Sequence, residues 1–263
     1  MSIEDYIHFI VQGPFPIFFL FGVIFLEYIV YKIQGKKFSF VHMISNFAVL
    51  ALGVILFSLF SQYVLSRESV ITFMTQYALF STPLSWTWFI VWLVVFDCIS
   101  YWTHVLYHKS AFFWMFHSVH HTDNQLDAST TIRVPWVASF FTVTSYAFFC
   151  FLGVNPLLLP AIAQTMFLHQ ILTHSFLLRV CIPQSLLRVI SYVFVTPPMH
   201  AMHHTRKHSN TNYGFLFSFW DRLFATILLK HYEDEAFGVD THTTTHNPLT
   251  IHTEGMVRYY KER

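Results

Sequence analysis

The residues with the clearest chemical potential in this chain are histidines in three boxes. His104 and His108 form H-x-x-x-H, His117, His120 and His121 form H-x-x-H-H, and His200, His203 and His204 repeat that second pattern. His174 stands between the second and third boxes. Neutral imidazole is the commonest protein ligand for a transition metal, and one divalent metal takes roughly four to six donors. Nine clustered donors therefore point to two metals. Within each H-x-x-H-H box one histidine is free to support a ligand instead of being one.

Patterns that do not occur narrow the metal. The inward glutamates and E-x-x-H pairs of carboxylate di-iron bundles are missing, and so is the H-E-x-x-H of zinc proteases. Cys98, Cys150 and Cys181 are too far apart for an Fe–S, structural zinc or disulfide framework, and are expected to be packing residues. Imidazole ligation by itself accepts zinc, copper, nickel or iron. The whole pattern, a histidine-rich site beside apolar segments, suits iron that activates O2 next to an apolar substrate.

The elements that must position these boxes belong to a membrane. Hydrophobic residues make up 54% of the 263, charged residues only 11%, and 31 are phenylalanine, against roughly 25% charged in soluble domains. A net charge of +1 offers no field for nucleic acid. The sequence predicts an all-α integral membrane protein with about four to five membrane-embedded helices and a cytosolic, histidine-rich metal-binding cap. Transmembrane helices are expected at 14–31, 40–65 and 84–108, and a helical hairpin at 136–176 that turns at G-V-N-P. The cap then comprises 104–134 and 177–230, with an interfacial helix within 179–196 and a C-terminal tail at 231–263. Glu4 and Asp5 precede the first apolar run, so the amino terminus reads as an attached segment and not a cleaved signal. Lys32, Lys36 and Lys37 place the first connection in the cytoplasm, and counting spans from there brings all nine histidines to that side.

Several polar residues are candidates for orienting the ligands. Asp97 and Tyr101 continue the helical stripe of His104 and His108, and a carboxylate inside a span is a functional hypothesis by default. Asp97 is expected to accept a hydrogen bond from a ligand imidazole, most naturally one from another box; the alternative is a bond to Tyr101 or neighbouring backbone. Gln170, Asn212 and Asp221 are further candidates, whereas Tyr213, Trp220 and Phe224 read as cap packing. His169 reads as a core residue, and His8, His42, His231, His242, His246 and His252, which lack partner spacing, as structural or solvated. H-Y-E-D-E at His231 reads as an exposed turn.

The order of H-x3-H, H-x2-H-H, a histidine ending a later span, and H-x2-H-H followed by N-Y-G and W-D-R-L-F resembles the fatty acid hydroxylase superfamily, also called the sterol desaturase family. The resemblance covers about 85–229. D-C-I-S-Y-W-T-H at 97–104, H-S-V-H-H-T-D-N-Q-L-D-A-S-T-T-I-R at 117–133 and Q-x-x-x-H at 170–174 look most like its alkylglycerol monooxygenase and bacterial sterol desaturase-like branch. It implies an integral membrane oxygenase in which His104, His108, His117, His120, His121, His174, His200, His203 and His204 hold two irons, with zinc as a substitute in purified protein and O2 as co-substrate. The implied partners are a membrane lipid and an external electron donor: a ferredoxin, a cytochrome b5-like carrier or a pterin. A bacterial inner membrane is favoured over the endoplasmic reticulum. The chain departs from the family at Val105, where arginine is frequent, and at Val134 and Pro135, where a His-Pro is frequent. A lipid hydroxylase is the leading reading. A desaturase with the same site is the first alternative. A non-enzymatic metal-binding or transport protein is the second, disfavoured because the histidines sit at span ends and not along a transmembrane path.

Overall fold

The computed structural model describes residues 1–63, 67–229, 236–239, 247, 249–251 and 253. Among these the chain is helical throughout, with two isolated β-bridges and no sheet. The short α1 (Ile3–Ile7), capped by Ser2, runs into a π-helical turn at His8–Gln12. Pro14 and Pro16 then open α2 (Phe15–Ile33), where a missing N–H is harmless. It is followed by α3 (Phe40–Tyr63), α4 (Arg67–Gln76), and α5 (Trp86–Lys109), whose Ser85 side chain caps the Trp88 N–H.

α2, α3 and α5 are long and apolar enough to cross a membrane. With 24 residues, α5 rises about 36 Å, longer than a hydrocarbon layer of about 30 Å, and its last two turns carry the first histidine box. The expected span at 40–65 ends beyond the last described residue of α3.

The expected hairpin is α7 (Ala138–Leu152) and α8 (Leu158–His174), reached through α6 (Ala111–His121) and a 3-10 turn at Ala128–Ile132. Gly153 closes α7 with φ +105°, and a Cβ there would run into the Phe80 carbonyl, so the G-V-N-P turn requires its glycine. The anticipated interfacial helix is two short ones, α9 (Phe176–Cys181) and α10 (Gln184–Ile190), because Pro183 interrupts the helical ladder between them. α11 (Pro197–His203) and α12 (Phe219–Leu223) complete the cap.

One core cluster joins α1, α5, α7 and the start of α8 through Ile7, Trp92, Phe149 and Ile162. A second joins α2, α8 and the 3-10 turn through Leu20, Ile24, Ile132 and Ile171. Cys150 is buried, as a packing cysteine should be, but Cys98 is half-buried and Cys181, at the end of α9, is exposed.

Candidate metal centre

A single non-helical residue, Ser110, separates α5 from α6, so α6 doubles back along the last turns of α5. This sets the His117 ring 4.8 Å from His104, and the His121 ring 4.7 Å from His108. α8 delivers His174, and α11 with its C-cap delivers His200, His203 and His204.

The nine histidines gather in two groups. His104, His108, His117, His121 and His203 form one, and His120, His174, His200 and His204 the other; within each, one nitrogen per ring lies within 4.8 Å of the rest. Both H-x-x-H-H boxes are divided. His117 and His121 enter the first group and His120 the second, whereas His200 and His204 enter the second and His203 the first. Helical geometry explains the division: residues four apart lie about 40° apart around the axis, and residues three apart about 60° in the opposite sense. Each box therefore projects two rings into one group and one into its neighbour. The groups adjoin, with His121 stacked on His204 at 4.4 Å.

Backbone carbonyls determine the tautomers. His104 Nδ1 lies 2.8 Å from the Tyr213 carbonyl, His120 Nδ1 3.2 Å from that of Arg133, His174 Nδ1 2.7 Å from that of Gln170, and His203 Nδ1 2.7 Å from that of Thr211. A carbonyl only accepts, so each of these Nδ1 atoms carries the proton and each Nε2 exposes a lone pair. Yet Nε2 of His120 is 3.1 Å from Nε2 of His174, so two lone pairs face each other. Nε2 of His200 lies 3.0 Å from the same atom of His174. Buried Nε2 of His108 and His203, Nδ1 of His200 and His204, and both ring nitrogens of His121 have no hydrogen-bond partner. A shared cation resolves the conflict: donors about 2.1 Å from one ion at right angles lie about 3.0 Å apart. The donor sets thus fit two imidazole-bound metal ions.

Burial holds the His120 imidazole down to about 4, and holds His117, His121, His200, His203 and His204 well below the ordinary histidine range, neighbouring imidazoles acting in the same direction on those five. All six are therefore neutral at pH 7, as metal ligands must be. In the unfolded chain they would take protons below about 6.5. Between about 6.5 and 4 the unfolded chain binds more protons than the folded metal-free protein, so stability is full above that window and falls as pH drops through it. Chelator-treated protein in detergent is expected to show a falling Tm from pH 7 to pH 5, and a flat profile would contradict neutral imidazoles.

The five polar candidates are close by, but none of their side chains is hydrogen-bonded to a site imidazole. Asp97 accepts from the N–H groups of Leu216 and Phe217 and from Trp220 Nε1, at 2.9, 3.1 and 2.9 Å. This corrects the expectation of an imidazole partner: the loop after Asn212 lies against α5 and fills the carboxylate with backbone donors. Asp221 likewise accepts from the N–H groups of Tyr213 and Gly214 and from the Thr226 hydroxyl. Asn212, at φ +53°, bridges Met199 and Leu228, and Tyr101 pairs with Thr226. The Gln170 side chain donates to Phe215, and its main-chain carbonyl, not its amide group, receives His174. His169, outside both groups, bonds Phe215 as a satisfied core residue.

Sequence reasoning missed a buried polar layer under the second group. Arg133, whose carbonyl receives His120, donates to Asn46, Thr122 and the Val119 carbonyl. Asn46 reaches Asp123 and Ser129, and His42 sits 3.0 Å from Asp123 and 3.4 Å from Asp127. Glu27 of α2 accepts from Ala128 N–H, Ser175 Oγ and Phe176 N–H. His42 is therefore structural and buried. Polar residues at i and i+4 inside an apolar span, here His42 and Asn46, were the available signal, as was a carboxylate at Glu27. His231, His242, His246, His252 and the turn at His231 lie outside the described residues.

A family model for the fatty acid hydroxylases matches residues 89–226, just over half of the chain. The chain belongs to the fatty acid hydroxylase family. It is 26% identical over 195 residues to an alkylglycerol monooxygenase of Xenopus tropicalis, covering 72% of this chain and 41% of that protein. It is 26% identical over 182 residues to the human alkylglycerol monooxygenase, covering 67% of this chain and 38% of the relative. It is 30% identical over 138 residues to an ornithine lipid hydroxylase of Rhizobium tropici, covering 51% and 40%. These matches thus span about two fifths of each relative's length. No solved structure matches the chain.

The fatty acid hydroxylase region contains all nine histidines and borders a cavity of about 370 Å³. His104 and His117 of the first group, and His120, His174 and His200 of the second, form part of its wall. Elsewhere that wall is largely apolar, with Phe96, Tyr107, Phe141, Phe149 and Phe167 prominent. An apolar cavity with one convergent polar patch is the form of a ligand site, and here the patch is a set of imidazoles.

Proposed function

We propose that this chain is an O2-dependent di-iron oxidoreductase that hydroxylates a C–H bond of a membrane lipid. The observation that carries the reading is the meeting of two convergent imidazole groups with one apolar cavity. The names of the relatives, alkylglycerol monooxygenase and ornithine lipid hydroxylase, support a lipid with a long alkyl chain. His104, His108, His117, His121 and His203 would hold one iron, and His120, His174, His200 and His204 the other. Iron bound there supplies reductive activation of O2, and the overall balance is one C–H bond, O2, two electrons and two protons giving one C–OH and water.

The residues of the chain bind, orient and exclude. The carbonyls of Tyr213, Arg133, Gln170 and Thr211 hold four Nδ1–H groups so that Nε2 faces inward. The aromatic wall takes up an alkyl chain and keeps water from it. Electrons come from a separate donor, a ferredoxin, a cytochrome b5-like carrier or a pterin. In this reading the chain is one membrane domain with a cap at 104–134 and 177–230 and a C-terminal tail at 231–263. Lys32, Lys36 and Lys37 put the cap on the cytoplasmic side, in a bacterial inner membrane.

Metal analysis after mild purification, paired with mass spectrometry of membrane lipids, tests this reading. The expected result is about two metal ions per chain, iron or the zinc that replaces it, and a lipid that gains one oxygen atom only with iron, O2 and reductant. One metal or none in active protein would sink the two-metal site. Loss of two hydrogens from the lipid would identify a desaturase, and metal movement across vesicles without lipid change would identify a transporter.

A further inference from the structure

The wall of the cavity has a gap. α5 and α7 both line it, and the exposed Ile99 of α5 and Thr142 of α7 are among the lining residues, so the cavity opens between these helices. Aromatic pairs bridge them at two levels. Near the imidazoles, Tyr107 meets Phe141 at 5.6 Å between ring centroids, and Phe113 of α6 meets Phe141 at 5.9 Å. At the far end, Phe96 stacks on Phe149 at 5.0 Å, with Trp92 edge-on to Phe149 at 6.1 Å. The bridges are eight residues apart on α7, about 12 Å of helix rise. Between them the cavity is lined by Ile99, Ser100 and Thr103 of α5 and Thr142, Ser145 and Tyr146 of α7, the last donating its hydroxyl to the Leu159 carbonyl of α8.

These are mostly small side chains, and their polarity is largely masked. The Thr103 hydroxyl donates to the Ile99 carbonyl and the Thr142 hydroxyl to that of Ala138, each within its own helix. Among the described residues no charged side chain lines the cavity. Outside the gap the helices present exposed Trp102, Leu106, Phe140 and Phe148, with Ile99 and Thr142 exposed at the opening itself. Apolar surface of this kind, on α5, which is long and apolar enough to cross a membrane, and on the shorter apolar α7, suits contact with lipid. Cavity and lipid-facing surface are therefore continuous through the gap.

We propose that the gap between α5 and α7 is a lateral portal through which the alkyl chain of a lipid already resident in the bilayer enters the cavity sideways. A chain delivered on a water-soluble carrier would have no use for an opening in the membrane-facing wall. The identity of the guest as substrate rests on the hydroxylase reading, but its route does not. Ser145 and Thr142 are the positions where bulk would close the portal, since both lie between the aromatic bridges.

The test uses the full chain reconstituted in phosphatidylcholine vesicles that contain phosphatidylcholine with a diazirine at mid-chain, photolysed and mapped by mass spectrometry. In the unmodified protein, label is expected on outward Phe140 and Phe148 and also on Met166 and Phe167, which line the cavity from α8. Ser145→Trp and, separately, Thr142→Trp should each lower label on Met166 and Phe167 at least tenfold while leaving Phe140 and Phe148 labelled. Phe148→Trp, on the outer face, should lower neither interior site. Thr142 is exposed, so its variant inserts even where the bulkier change at Ser145 disturbs α7. Interior residues that stay unlabelled in the unmodified protein, that are labelled equally in both portal variants, or that are labelled only when the diazirine chain arrives on a soluble carrier protein would overturn the portal. Labelling requires neither metal nor turnover, so a protein that takes up the chain but never oxidises lipid would refute the hydroxylase reading and leave the portal standing.

Discussion

His120→Ala is expected to abolish turnover and to strip the second group of its metal. This group has four imidazoles and the variant leaves three. The loss should exceed the ~10 to 100-fold typical when only an outer partner of a ligand is removed. It also frees the Arg133 carbonyl, which His120 alone among the nine histidines engages. His203→Ala should abolish turnover too, but it reduces the first group from five imidazoles to four, so more metal is retained. His8→Ala, at an exposed position bonded to Gln12, should change neither quantity. Metal analysis and lipid oxidation on the three purified variants decide the matter. Equal metal loss in all three would mean that the histidines act through folding alone.

Asp97→Ala should destabilise the cap more than any single histidine change. It leaves two backbone N–H groups and one indole N–H buried without an acceptor, each at a cost of about 1 to 3 kcal/mol. A total on the order of 3 kcal/mol or more is expected, and Tm in detergent reads it. Asp97→Asn keeps one carboxyl-like oxygen but turns an N–H towards a donor, so it falls between the alanine variant and the unmodified protein. Because the residues that Asp97 clamps follow Tyr213, whose carbonyl orients His104, metal should be lost as the cap loosens on warming and retained in the cold. A variant with unchanged Tm but slow turnover would instead restore a direct role for Asp97 at an imidazole.

The sequence was most legible where it repeats. Imidazoles at helical spacing, each box beside the end of an apolar run, announced a histidine-rich site, because only a shared ion or a shared surface gives such spacing a purpose. Hydropathy located α2, α3, α5 and the α7–α8 hairpin, since lipid leaves helices few alternatives. Less legible were Glu27, His42, Asn46 and Arg133, whose partners lie up to 150 residues away in sequence. The five polar candidates lie in the right neighbourhood, but Asp97 meets backbone and indole donors instead of the expected imidazole. A carboxylate in a span signals that it needs donors, but not whether those donors are imidazoles or backbone N–H groups.

Side-chain type and local period encode the apolar helices and the nine clustered histidines, so both are readable from the sequence. How those histidines are divided depends on long-range packing. The sharp reversal at Ser110 and the docking of α11 on α8 split each H-x-x-H-H box between two groups. Packing also decided which nitrogen of four rings faces inward, through the carbonyls of Tyr213, Arg133, Gln170 and Thr211. Every residue carries a carbonyl, so no residue type marks the ones that orient a ligand; only packing brings them within 3.2 Å of an imidazole.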